Sequence, residues 1–157
     1  MPTTRADIDA FLAHHRIAVV GVSRDPKHFS RYVFDELCTR GYDAVPVNPQ
    51  AQDLAGHPCF ASVPMIKPPV EAALLMTPPG ETEKVVQDCA NAGIREVWMH
   101  QGAGQGSVSQ AAIAFCREHG MKVVEGHCPF MFLSHTQLVH RAHGFLLRVM
   151  GRYPAAC

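Results

Sequence analysis

The chain has 157 residues, with fourteen Lys and Arg balanced by fourteen Asp and Glu, and 47% of its residues are hydrophobic. This length and composition fit one folded domain over residues 1–157. The balanced charge disfavours nucleic acid and acidic membranes as partners, because no overall positive field attracts them. Apolar runs such as residues 17–20 are far shorter than the roughly 18 residues of a membrane span, and no basic-then-apolar leader opens the chain. A cytoplasmic protein is therefore expected.

Cysteine and histidine are frequent, but their spacing does not favour disulfides or metal binding. The six cysteines are widely spaced and form no C-x-x-C pair, so we expect reduced thiols. The ten histidines include no pair at ligand spacing with a Cys or Glu, and we predict no metal site.

The hydrophobic pattern alternates between helix and strand along the chain. Thr4 and Asp7 have the spacing of a capping box, which predicts a helix over residues 4–14. Residues 17–21 form a continuous β-branched run closed by glycine, as in a strand buried on both faces. The remaining predicted elements are a helix over 30–40 capped by Ser30 and ended by Gly41, a strand over 44–47, a winding connection with one short strand over 50–70, a strand over 72–76, a helix over 81–92, a strand over 96–99, a helix over 107–118 ended by Gly120, and a strand near 122–124.

This alternation predicts the fold class. Strands and helices joined by connections of this length pair in parallel through right-handed crossovers. We therefore expect an α/β fold, a three-layer Rossmann-like parallel sheet with its core over about residues 15–130. Residues 134–152 are predicted as an extra C-terminal helix with Leu138 and Phe145 on its apolar face. That helix is expected either to cover the sheet edge or to pair with another subunit, which would make the protein a homo-oligomer.

Open sheets of this kind bind ligands beyond the carboxyl ends of their strands. Four loops of this sequence follow predicted strands there: residues 21–27, 48–49, 77–80 and 100–102. Each is rich in glycine, proline or polar side chains, so we expect the four loops to converge on one crevice.

The first of these loops is suited to phosphate. A glycine loop that leads into a helix offers backbone N–H groups and the positive end of the helix at one point. Arg24, Lys27 and His28 add cationic side chains against the single acid Asp25, a local bias in a neutral chain. We interpret this bias as a site for several phosphates, with Ser23 and backbone donors holding a diphosphate and the longer cations reaching a further anion.

The nucleotide is harder to specify from the residues alone. A nicotinamide or flavin site typically has G-x-G-x-x-G here and an acid at the end of the second strand. This chain has Ser23 and Pro26 in place of the later glycines and Asn48 in place of the acid. Because no carboxylate would repel a phosphorylated ribose, NADP stays open, and a small NAD(P)-dependent oxidoreductase is one alternative function. No G-x-x-x-x-G-K-[ST] occurs, so the sequence gives no support to an ATP-hydrolysing P-loop.

Several segments together resemble the small CoA-binding proteins, whose fold is that of the N-terminal CoA-binding domain in the succinyl-CoA synthetase α subunit. The resemblance covers about residues 17–129. The segments that carry it occur in the family's order at strand ends, and they are residues 20–27, 45–49, 77–79, 97–102 and 128–129.

The resemblance implies coenzyme A as the ligand and assigns roles to the loops. Residues 21–27 would hold the phosphates, residues 48–49 would line the adenosine side, and the two later loops would line the path of the pantetheine arm. The residues predicted to bind the cofactor are Gly21, Val22, Ser23, Arg24, Asp25, Pro26, Lys27, Ser30, Asn48, Pro49, Thr77, Pro78, Pro79, Met99, His100, Gln101 and Gly102.

The synthetases themselves use a phosphohistidine in a separate ligase domain, for which this chain has no counterpart. The expected function is therefore a stand-alone CoA or acyl-CoA binding protein, a sensor or carrier without catalysis of its own. Two alternatives would give the chain reactive chemistry: His100 acting as a base, and Cys128 forming a mixed disulfide with CoA. For Cys128 we favour a buried inert thiol. A further alternative is an interaction module with a vestigial pocket, assembled through the closing helix.

Overall fold

The computed structural model describes residues 2–104 and 106–133. The predicted helix over 134–152 therefore lies outside the described residues. The helices are α1 (Arg5–Leu12), α2 (Phe29–Thr39), α3 (Pro79–Asn91) and α4 (Gln110–Glu118), and the strands are β1 (Arg16–Val20), β2 (Asp43–Val47), β3 (Asp53–Leu54), β4 (His57–Pro58), β5 (Ala72–Leu75), β6 (Glu96–Met99) and β7 (Lys122–Glu125).

The main sheet is parallel and has the order β2-β1-β5-β6-β7. Along the chain, β1 is followed by β2 at the edge of the sheet, and the chain then crosses to β5 on the other side of β1. The strand order therefore reverses between β1 and β5, the position where open α/β sheets place their ligands. The predicted Rossmann-like α/β fold is confirmed.

The two faces of the sheet are covered by different helices, which gives the three layers. Ala18 and Val20 of β1 belong to one buried cluster, together with residues of α3 and α4. Ile17 and Val19 alternate onto the other face and pack in a second cluster, which includes residues of α1 and α2. A strand with apolar partners on both faces has a continuous apolar sequence. This pattern is why β1 could be predicted from the sequence.

Two predicted helix starts are wrong because the capping residue differs. Ser30 does not cap α2: the helix begins at Phe29, and His28, two residues before Ser30, is the N-cap through its side chain. The helix predicted from residue 107 begins only at Gln110, because Ser109 caps it by accepting from the N–H of Ala112.

Helix α3 also starts earlier than predicted, at Pro79 instead of Glu81. Proline is favoured in the first turn because its missing N–H has no helical partner to lose. The connection over 50–70 contains two short antiparallel strands, β3 and β4, where one was predicted, and a 3₁₀ helix at Val63–Met65. Within the described residues, no helix combines the length and apolar composition needed to cross a bilayer.

Candidate functional site

A cavity of about 510 Å³ lies at the carboxyl edge of the sheet, on the reversal between β1 and β5. Residues that follow β1, β2, β5 and β6 all contribute to its wall, among them Gly21, Asn48, Thr77 and His100. A second cavity of about 420 Å³ adjoins it beside α3, and Gly21, Thr77 and Glu81 line both. The structure thus brings the four predicted loops to one crevice.

The predicted site residues divide into two groups. Those that line the larger cavity are Gly21, Ser23, Asn48, Pro49, Thr77, Pro78 and His100. The remaining residues lie behind or beside the wall. Val22, Ser30 and Met99 are buried, the four residues 24–27 are exposed on the first loop, and Pro79, Gln101 and Gly102 are absent from the lining of both cavities. Ligand contact by any of them stays a prediction.

The first loop is braced by its own side chains. The N–H of Ser23 donates to the Ser30 hydroxyl at 2.9 Å, and the N–H of Asp25 donates to the Ser23 hydroxyl at 3.1 Å. The N–H of Lys27 donates to the Asp25 carboxylate at 2.9 Å. These N–H groups are therefore already paired, within the loop or with Ser30 of α2, whereas the sequence suggested that they are open to phosphate.

His28 stands at the start of α2 and lines the larger cavity. Its Nδ1 accepts from the N–H of Ser30 at 3.2 Å and lies 2.8 Å from the Ser30 hydroxyl. An Nδ1 that accepts a hydrogen bond leaves the proton of the neutral ring on Nε2. Nε2–H is therefore the hydrogen-bond donor that the ring offers beside the loop.

The end of β2 holds the first loop in place. Asn48 donates from its amide nitrogen to the Val22 carbonyl at 2.8 Å, and its amide oxygen accepts from the N–H of Gln50 at 2.8 Å. The side chain that stands in place of the dinucleotide-binding acid is thus a brace between two loops. It adds no negative charge to the cavity.

Gly21 follows β1 and lies against the backbone of Met76, the residue that follows β5. Its φ is +92°, and a Cβ there would lie 3.1 Å from the Met76 carbonyl carbon. Both the conformation and the space require glycine at this position. The backbone can therefore turn directly into the loop at the edge of the cavity.

The loop after β6 folds back onto itself. The N–H of Ser107 donates to the His100 carbonyl at 2.7 Å, which places Gly106 against residues 100 and 101. Gly106 has φ +65°, and a Cβ there would collide with the His100 carbonyl and lie 2.7 Å from Gln101 Cα. Gly106 and Ser107 line the larger cavity because of this fold-back.

A buried threonine pair connects the loop after β5 with the loop after β6. The hydroxyls of Thr77 and Thr82 lie 3.2 Å apart, and Thr82 donates to the Ser107 carbonyl at 2.8 Å. Thr82 is fully buried and Thr77 is 5% exposed. The two cavity loops are therefore held together by hydrogen bonds in the interior.

Charge is distributed unevenly around the cavity. Arg24 and Lys27 are exposed on the first loop, and among the described residues neither forms an ion pair, whereas Arg31 is paired with Asp35 at 3.3 Å. Glu81, in the first turn of α3, lines both cavities. The first loop therefore carries unpaired positive charge beside the crevice, and Glu81 places a carboxylate in its wall.

Cys128 and Trp98 are parts of the core. Burial raises the pKa of the Cys128 thiol to about 11, which keeps it protonated and poorly nucleophilic at neutral pH. Trp98 is fully buried, and its Nε1 donates to the Gly126 carbonyl at 2.8 Å. The position of Cys128 agrees with the preferred prediction of a buried inert thiol, and Trp98 packs in the core.

Several lining residues were not in the predicted site: His28, Gln50, Met76, Glu81, Gly106 and Ser107. Of these, His28 was noticed as a loop cation, and Gln50 and Met76 directly adjoin predicted residues. Gly106 lies in the glycine-rich segment over residues 100–106, but the sequence does not distinguish it from the two other glycines there as a cavity-lining residue.

These features define a Rossmann-like domain with a ligand crevice at its switch point. The family model for the CoA binding domain matches residues 15–134, and the chain belongs to that family. The resemblance predicted from the sequence is confirmed.

Comparisons with known proteins agree with this family. The chain is similar to the α subunit of the ADP-forming acetate–CoA ligase II of Pyrococcus furiosus, with 25% identity over 139 residues that make up 83% of this chain and 30% of the subunit. It is 27% identical over 126 residues to the uncharacterized protein YneT of Bacillus subtilis, covering 80% of this chain and 90% of YneT. A solved structure of a hypothetical protein from Pyrococcus horikoshii has a TM-score of 0.75 and 27% identity, and the match covers 94% of this chain and 96% of that one.

Proposed function

We propose that this chain is a stand-alone coenzyme A or acyl-CoA binding protein, a sensor or carrier without catalysis of its own. The observation that carries the proposal is the crevice built on the Gly21 loop, in a chain of the CoA binding domain family. The chain spans only 30% of the ligase subunit, so that enzyme's activity is not transferred to it. Its match to YneT covers 80% of this chain and 90% of YneT, which supports a stand-alone protein of similar length.

The charge distribution orients the ligand. The phosphates bind beside Arg24 and Lys27, because these exposed cations have no ion-pair partner among the described residues. Glu81 on the opposite side repels phosphate and favours an uncharged segment. The adenosine then lies toward Asn48 and Pro49, and the pantetheine arm runs past Thr77.

The end of β2 favours coenzyme A over NAD. A dinucleotide site uses a carboxylate there to bind the ribose hydroxyls. Asn48 instead uses its amide to hold the Val22 carbonyl and the N–H of Gln50, and it offers no carboxylate to the ribose hydroxyls. The high pKa of Cys128 likewise favours a non-covalent complex over a mixed disulfide.

Isothermal titration calorimetry with CoA, dephospho-CoA, NAD and NADP tests the proposal. We expect CoA to bind most tightly and dephospho-CoA more weakly, because it lacks one phosphate. Tight binding of NADP without binding of CoA would show an oxidoreductase-type site instead. Absence of binding by all four ligands would favour the interaction module with a vestigial pocket.

A further inference from the structure

The walls of the two cavities contain more negative than positive charge. Among the described residues, the larger cavity is lined by one acid, Glu81, together with two histidines, and by no lysine or arginine. The second cavity is lined by Glu81, Lys84 and Asp88. Lys84 Nζ lies 3.0 Å from the Asp88 carboxylate, so these two charges compensate each other. Glu81 therefore supplies the uncompensated carboxylate in both walls.

The surroundings of Glu81 offer a ligand carboxylate no counter-charge. Glu81 is exposed in the first turn of α3, and its carboxylate has no ion-pair partner within residues 2–104 and 106–133. The start of a helix carries partial positive charge, but Glu81 already offsets that charge. The exposed cations Arg24 and Lys27 belong to the first loop and line neither cavity.

Repulsion by Glu81 does not require direct contact with the ligand. The larger cavity, of about 510 Å³, is roughly 10 Å across, which is comparable with the Debye length of about 8 Å at physiological ionic strength. A charge anywhere in this cavity is therefore only partly screened from Glu81. Since Glu81 lines both cavities, the effect is the same in sign whichever of them receives the end of the ligand.

We propose that the chain selects CoA thioesters with an uncharged acyl group over those whose acyl group ends in a carboxylate, and that Glu81 is the residue that determines this specificity. This inference rests on the proposed function and names its ligand class. With the phosphates beside Arg24 and Lys27, the acyl group is the part of the ligand whose charge can vary. An uncharged acyl group meets no repulsion in the crevice, whereas a carboxylate meets Glu81.

Two stable thioether analogues provide the test. S-(2-carboxyethyl)-CoA and S-(2-carbamoylethyl)-CoA have nearly the same shape and differ in a terminal carboxylate against an uncharged amide. In titration calorimetry we expect wild type to bind the carboxylate analogue about two- to fivefold more weakly than the amide analogue, the size of an interaction between exposed charges. The ratio should shrink at high salt, because salt screens exposed charges.

Variants of Glu81 locate the source of the ratio. Glu81→Gln should bring it close to one, Glu81→Asp should keep most of it, and Glu81→Lys should invert it. Glu118→Gln removes the same charge as a matched control and should keep the wild-type ratio. Glu118 is exposed at the end of α4, where the chain returns to the amino end of β7, and it lines neither cavity. If Glu81→Gln does not fold, Glu81→Lys and the salt dependence of wild type still decide.

The outcomes separate the two proposals. If wild type binds the two analogues equally, or binds the carboxylate more tightly, or if the ratio survives in Glu81→Gln, selection by Glu81 is refuted and the proposed function stands. If wild type binds neither CoA nor the analogues, the proposed function itself fails, and this inference fails with it.

Discussion

Removing the two unpaired cations of the first loop should weaken CoA binding without affecting the arm. In Arg24→Ala with Lys27→Ala, both lost charges come from exposed side chains. An exposed ion pair contributes up to about 1 kcal/mol, so the loss is about 2 kcal/mol, or roughly 30-fold in Kd. Pantetheine has no phosphate, and its affinity should not change. Titration calorimetry at two salt concentrations measures both ligands, and the penalty should shrink at higher salt because exposed charges are screened.

A variant with the same charge loss at the opposite edge is the control. Arg95 is exposed just before β6, and Lys122 begins β7, so both lie at the amino ends of the strands. Arg95→Ala with Lys122→Ala removes one arginine and one lysine far from the crevice. It should bind CoA like wild type. Equal weakening of CoA and pantetheine by the loop variant, or equal weakening of CoA by both variants, would refute phosphate binding at the first loop.

Three further predictions concern the scaffold of the site. Gly106→Ala should lower the free energy of unfolding by about 1–3 kcal/mol, because it adds a Cβ at positive φ against the His100 backbone, and urea denaturation measures this loss. His28→Ala removes the cap of α2 and should cost about 1 kcal/mol in the same assay, whereas His28→Asn should recover most of it. Between pH 9 and 11 the unfolded chain releases the Cys128 proton while the folded chain, with a pKa of about 11, retains it. Stability should therefore fall by about 2 kcal/mol over this range, and Cys128→Ala should show a smaller fall in denaturant titrations at the two pH values.

The sheet was predictable because its signals are local. Buried parallel strands such as β1 and β5 are continuous apolar runs, and their order along the chain dictates parallel pairing. The Thr4–Asp7 capping box was likewise readable, and the structure contains both of its reciprocal hydrogen bonds. Because the carboxyl ends of parallel strands share one edge, the meeting of the loops followed from the fold.

The predictions failed where tertiary contacts override local preference. Serine is a stronger N-cap than histidine, so Ser30 was the natural choice for α2. In the structure its hydroxyl is drawn to the N–H of Ser23, seven residues earlier, and His28 takes over the cap. The fold-back at Gly106 is set by the hydrogen bond from Ser107 to the His100 carbonyl, which no local pattern encodes.

The bracing of the first loop bears on how the proposed site would select phosphate. A flexible glycine-rich turn binds phosphate through open backbone N–H groups, but here the N–H of Ser23 is paired with Ser30 of α2, and those of Asp25 and Lys27 are paired within the loop. Binding through them would break bonds of similar strength, so the net gain would be small. We therefore expect much of the affinity to come from side-chain donors that the loop does not use, namely the cationic ends of Arg24 and Lys27 and the Nε2–H of His28. A preformed loop loses little conformational entropy on binding, and we therefore expect the selectivity of the proposed phosphate site to depend on side-chain charge more than on the glycine turn.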